Sequence, residues 1–96
     1  MKAVLIIHNT AVDDEINEAL ASAKIDSFTK FPNTLGRGRQ SEPHLASEVW
    51  PETNCCTLVF TDPEKAAELM RVITVLRSRL GSEGVKAFLW SIEQVT

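Results

Sequence analysis

Hydrophobic and polar positions along the chain fall into alternating strand-like and helix-like periods. Residues 2–8 form an aliphatic, β-branched run without alternation, the pattern of a central strand covered on at least one face. Asn9 and Thr10 follow with capping chemistry, Thr10 standing three residues before Asp13. Val12, Ile16, Ala19, Leu20 and Ala23 then share one helical face, so a first helix is predicted over 11–23. Residues 27–31 alternate polar and aromatic side chains, with Phe28 on one side and Thr29 on the other, and read as a second strand that Pro32 ends or bulges. A third strand is predicted over 55–60. At Asp62-Pro63-Glu64 a cap and a first-turn proline open a second helix, whose stripe runs through Ala66, Leu69, Ile73, Leu76 and Leu80 to Gly81 and Gly84. Residues 85–92 close the chain as a strand with Phe88, Trp90 and Ile92 on one face.

The order βαββαβ predicts one α+β domain over 1–96 of the ferredoxin-like kind, an antiparallel four-stranded sheet with both helices on one face. Its other face would leave Phe28, Trp90 or the cysteine strand in water, so sheet-to-sheet packing in an oligomer is expected. Between the second and third strands, at about 36–54, lies a stretch with little periodicity that holds Trp50. Connections longer than about 12 to 15 residues in compact domains are commonly functional or disordered.

With 96 residues the chain has room for one domain and not two. No segment approaches the roughly 20 apolar residues of a membrane span, and the short apolar start lacks a cleavage site, so a cytoplasmic protein without membrane insertion is expected. Cys55 and Cys56 are adjacent, a poor arrangement for a mutual disulfide, and suit a reducing compartment. Their side chains alternate across the strand, so joint chelation of one ion is disfavoured and a role as small buried hydrophobes is the simpler reading. A net charge of -3 argues against general nucleic-acid binding, which draws its affinity from Lys and Arg against phosphates.

Candidate chemistry concentrates in Gly36-Arg37-Gly38-Arg39-Gln40. Glycines let backbone N–H groups approach an anion, and guanidinium forks match phosphate or carboxylate; the alternative is a solvated arginine-rich turn. Lys86, after a double-glycine turn, could add a second charge or be merely exposed. Most of Arg71, Arg77 and Arg79 read as solvated charges on the second helix, where its C-terminal end favours cations. A metal site can be drawn from His44 and His8 with Glu42 or Glu48, although no tight ligand spacing supports it. The acidic run Asp13-Asp14-Glu15 suits a helix N-terminus, and no nucleophile-base-orienter set is visible, so an enzyme is not expected.

The stretch from Val12 to Ala23, the Gly36-Arg37-Gly38-Arg39-Gln40 element and the closing Ala87-Phe88-Leu89-Trp90-Ser91-Ile92-Glu93 together resemble the PII signalling proteins, in a divergent PII-like branch. That resemblance implies a homotrimer with ligand clefts between subunits, ATP or ADP as ligand, and a mobile loop, the T-loop, that docks onto a partner such as a membrane transporter or an enzyme. Gly36, Arg37, Gly38, Arg39, Gln40 and Lys86 would hold the ligand and Trp50 would anchor the partner; Trp50 as a plug for its own loop is the other reading. The chain departs from the family in a shorter loop without tyrosine, which excludes tyrosine modification there, and in Gly81-Ser82-Glu83-Gly84-Val85-Lys86, a loose match to the family's Gly-Asp-Gly-Lys. A second reading resembles the divalent-cation tolerance trimers of the same architecture, with His44 and the cysteines near a metal.

Overall fold

Residue-level reasons for each element are visible in the computed structural model, which describes residues 1–35, 53–81 and 84–96. Strand β1 spans Lys2–Asn9. Asn9 ends it by accepting the Ala11 N–H at 2.8 Å on its side-chain oxygen, which starts a 3-10 turn, Thr10–Val12, leading into helix α1, Asp13–Ser22. The expected cap therefore belongs to Asn9, while the Thr10 hydroxyl donates to the Thr53 carbonyl at 2.9 Å. Lys24, in the left-handed region at φ 60°, turns the chain out of α1.

Strand β2 covers Thr29–Leu35 and so continues through Pro32. The ladder with β3, Thr53–Thr61, is interrupted between Phe31 and Thr34, where Asn33 adopts φ 57° and the Thr34 hydroxyl donates to the Phe31 carbonyl. Proline lacks an N–H, and an edge-strand bulge is where a sheet tolerates it. Helix α2, Pro63–Leu80, is capped by the Asp62 carboxylate, which accepts the Lys65 N–H at 2.8 Å, and ends at Gly81, whose φ of 80° is strained for any side-chain-bearing residue. Strand β4 is Val85–Ser91.

The four strands form one antiparallel sheet in the order β2-β3-β1-β4, the α+β ferredoxin-like arrangement. Val4 and Ile6 of β1, Val59 of β3 and Val85 of β4 join Ile16, Ala19 and Leu20 of α1 and Ala66, Leu69, Ile73 and Leu76 of α2 in one core. Each large aliphatic side chain buried here contributes about 1.5–3 kcal/mol. The opposite face of the sheet is bare among the described residues. Register places Phe60, Ala3 and Trp90 in one row across it, Leu58, Leu5 and Phe88 in the next, and Phe31 beside Cys56. Phe31, Phe60, Phe88 and Trp90 are 43–49 % exposed. Phe28 is exposed too, but it accompanies Lys30, whose ammonium lies 5.7 Å from its ring centroid, on the helix side.

Candidate functional site

One end of the sheet gathers the features with chemical potential. The end of β1, the end of β2, the start of β3 and the start of β4 coincide there: Asn9 lies opposite Asn54, Asn54 opposite Thr34, and the Asn9 N–H donates to the Gly84 carbonyl at 2.7 Å. Both stems of the 36–52 connection and the turn preceding Lys86 thus emerge at the same end of the sheet. Three inter-strand steps of about 4.8 Å put the β2 and β4 edges roughly 14 Å apart.

Just inside this end, on the helix side, five polar side chains converge. His8 and Cys55 are register partners; Thr57 lies opposite both Ile6 and Lys30; Asp13 hangs over them as the first residue of α1. His8 is 1 % exposed, and burial holds its pKa below the ordinary histidine value, so the ring is neutral near pH 7. Its Nδ1 is 3.1 Å from the Asn9 carbonyl, which can only accept, so the proton sits on Nδ1 and Nε2 is the acceptor. Nε2 lies 3.2 Å from the Thr57 hydroxyl, which is in turn 3.4 Å from the Lys30 ammonium. Donation therefore runs in one direction, from Lys30 to Thr57 to His8 to the Asn9 carbonyl. Lys30 also donates to Asp13 Oδ1 at 2.6 Å, and this bond holds the Asp13 carboxyl below its usual range. Asp13 Oδ1 and His8 Nε2 are 3.6 Å apart, two acceptors of which the first takes the Lys30 ammonium and the second the Thr57 hydroxyl.

Cys55 is buried beside this group; its thiol donates weakly to the Cys56 carbonyl at 3.8 Å, and burial raises its pKa. A protonated, enclosed thiol is not an activated nucleophile. The donor atoms of His8, Asp13 and Cys55 all lie within 4.8 Å of one another, a spacing that a metal ion could bridge.

An open groove runs between the last turns of α2 and β4, lined among others by Met70, Ile73, Arg77 and Lys86. Arg77 is exposed, as are Arg71 and Arg79, but its Nε also donates to the Val85 carbonyl at 3.0 Å and ties α2 to β4. Arg71 pairs with Glu68 on the exposed face of α2.

Of the residues singled out from sequence, Lys86 is exposed on β4, opposite Ile7, with its ammonium 5.9 Å from the Phe88 ring centroid. Gly36, Arg37, Gly38, Arg39, Gln40, His44 and Trp50 lie outside the described residues. Sequence reasoning placed Asp13 only at a helix dipole and paired His8 with His44. The grouping of His8 with Asp13, Lys30, Cys55 and Thr57 was missed, because it depends on the β1–β3 register and on the side of β2 that Lys30 takes. An early signal was available: a histidine closing a strand, an aspartate opening the next helix, and polar residues at alternating positions of two neighbouring strands.

No family model matches the sequence, and no curated protein matches it. Solved structures do. CPII from Thiomonas intermedia K12 bound to ADP and bicarbonate superposes with a TM-score of 0.71 at 18 % identity, covering 93 % of this chain and 82 % of CPII. CPII with ADP, AMP and bicarbonate gives 0.74 at 15 % identity, with 95 % and 88 % covered. A protein of Thermus thermophilus described as PII-like and signalling gives 0.62 at 19 % identity, with 93 % and 83 % covered. The chain has the fold of these PII-like proteins over nearly its whole length.

Proposed function

We propose that the chain is a PII-like regulatory protein that assembles as a homotrimer, binds an adenine nucleotide, ADP or ATP, in clefts between subunits, and signals to a partner protein through the 36–54 loop. The observation that carries the reading is the shared fold with CPII, which is seen with ADP, AMP and bicarbonate bound. Two features of this chain support it. The loop bearing Gly36 to Gln40 and the start of β4, which bears Lys86, lie at the same end of the sheet, and the bare aromatic face gives copies of the chain a reason to associate.

In this reading Arg37 and Arg39 grip phosphate or bicarbonate oxygens as charge-assisted forks, Gly36 and Gly38 admit the ligand to backbone N–H groups, and Gln40 adds a neutral hydrogen bond. Lys86 completes the anion's surroundings from a neighbouring chain. Ligand and partner need a coupling of only about 1–3 kcal/mol, delivered as a change in the loop's order, with Trp50 as the partner's anchor. The role is one of binding and signalling in the cytoplasm rather than catalysis. Among the described residues no helix is long and apolar enough to cross a membrane, so a transporter partner would be met at its surface.

The test is thermal unfolding and tryptophan fluorescence under titration with ADP, ATP and bicarbonate. ADP at a hundredfold excess over its dissociation constant stabilises the protein by about 2.7 kcal/mol, and Arg39→Ala removes the effect. A folded protein that responds to none of the three contradicts the proposal.

A further inference from the structure

His8, Asp13 and Cys55 bring three donor atoms within 4.8 Å of one another, and the cation beside them is Lys30. Its ammonium rests 2.6 Å from Asp13 Oδ1 and within 3.4 Å of Thr57, at the mouth of a set of donors that are otherwise acceptors or a thiol. We propose that these three residues bind one zinc-class transition-metal ion, with Lys30 as the internal cation that the metal displaces. This inference is independent of the nucleotide reading.

Four observations support it. The donors come from three elements whose mutual placement is fixed by the sheet: His8 and Cys55 face each other across the β1–β3 ladder, and Asp13 is set by the capped entry to α1. His8 is already in the tautomer a metal requires, because the Asn9 carbonyl holds the proton on Nδ1 and turns Nε2 inward, the outer hydrogen bond that characterises metal-ligating histidines. A nitrogen, a carboxylate oxygen and a sulfur form a mixed donor set suited to zinc, cobalt or copper and unsuited to magnesium or calcium. Thr57 Oγ1 lies 3.2 Å from Nε2, so a fourth oxygen, its hydroxyl or a water held by it, adjoins the three donors.

Charge balances in the exchange. With Lys30 in place the group holds one ammonium, one carboxylate and a neutral thiol. A divalent ion enters, the Cys55 S–H bond breaks as the S–metal bond forms, and the proton leaves to solvent, giving a divalent cation with one thiolate and one carboxylate. Lys30 keeps its proton and withdraws. It has a route, being 23 % exposed at the sheet edge, and it already borders the Phe28 ring, 5.7 Å from its centroid, a contact it can keep as it withdraws. Withdrawal frees a side chain of β2, the strand that leads directly into the segment carrying Gly36 to Gln40.

Cobalt(II) is the probe, added under reducing conditions to the full chain. Wild type should develop a near-ultraviolet sulfur-to-cobalt charge-transfer band with visible bands of tetrahedral intensity. Lys30→Met, which removes the competing cation and keeps the stem, should bind cobalt at least about tenfold more tightly, a gain of about 1.4 kcal/mol. Cys56→Ser should keep the band and Cys55→Ser should lose it, each with an unchanged far-ultraviolet circular dichroism spectrum. Failure of both wild type and folded Lys30→Met to give the charge-transfer band overturns the proposal. So does a band that survives Cys55→Ser, or cobalt binding that never involves sulfur.

Discussion

His8 shows how a side chain's protonation state follows from its surroundings. The groups around it are Asp13, Lys30, Cys55, Thr57 and the Asn9 carbonyl; desolvation dominates and lowers its pKa. A pKa lower in the folded than in the unfolded chain means that the unfolded chain binds the extra proton first. The stabilisation is therefore complete above the unfolded value of about 6.5 and is lost as pH falls through it toward the folded value. Urea unfolding in a chelating buffer should show the midpoint dropping between about pH 7.5 and pH 5.5, a window around the unfolded value, and His8→Gln should flatten that slope. A midpoint that does not change over this range in wild type would contradict a buried neutral His8. Asp13 responds lower down, since its depressed pKa gives stability that is lost as pH falls from the ordinary carboxylate range through the lower folded value. None of this was legible from the residues taken singly. His8 carries no local spacing signal, and Asp13 at a helix start satisfies a local rule that hides its longer-range partner Lys30.

At the scale of elements, local rules worked where their partners are close in sequence. The α2 cap at Asp62, the first-turn Pro63, the buried stripe and the glycine stop are all within one or two turns of the residues they serve, and each is realised in the structure. The relative strengths of cap and stripe can be measured. Asp62→Ala should cost about 0.5–2 kcal/mol through one lost cap, and Leu69→Ala about 2–5 kcal/mol through a cavity in the core. Chemical denaturation of the two variants checks the ranking, and a cap that matters more than Leu69 would contradict the packing described for α2. Sequence rules were less informative where the outcome depends on a neighbouring strand. Pro32 could equally have closed β2 or bulged it, and pairing with β3 on an edge decided for the bulge. Arg77 is the exposed charge it reads as, but its bond to the Val85 carbonyl could not be read, because that acceptor belongs to the next element.

For the whole molecule, the order of elements sufficed to give the ferredoxin-like sheet with one bare face, because binary patterning and connection lengths leave few other topologies. Trp90 and the cysteine strand were legible as contributors to that face; Phe28 proved to belong to the other side, since it precedes β2 and shares the side that Lys30 takes. In the proposed assembly this face meets its neighbours, and a carboxylate in its middle should oppose that. Sedimentation velocity of Phe60→Glu is expected to show monomer where wild type shows a trimer; an identical distribution for both would remove the face from the interface.

Each anion site in the proposed trimer is shared, with Arg39 from one chain and Lys86 from the next. Calorimetric titration of ADP into a co-refolded equal mixture of Arg39→Ala and Lys86→Ala chains tests this directly. Each variant alone should bind no ADP, while random assembly in a closed ring restores about a quarter of the wild-type sites by pairing an intact Arg39 with an intact Lys86 across an interface. A mixture as inert as its two components would contradict the shared site.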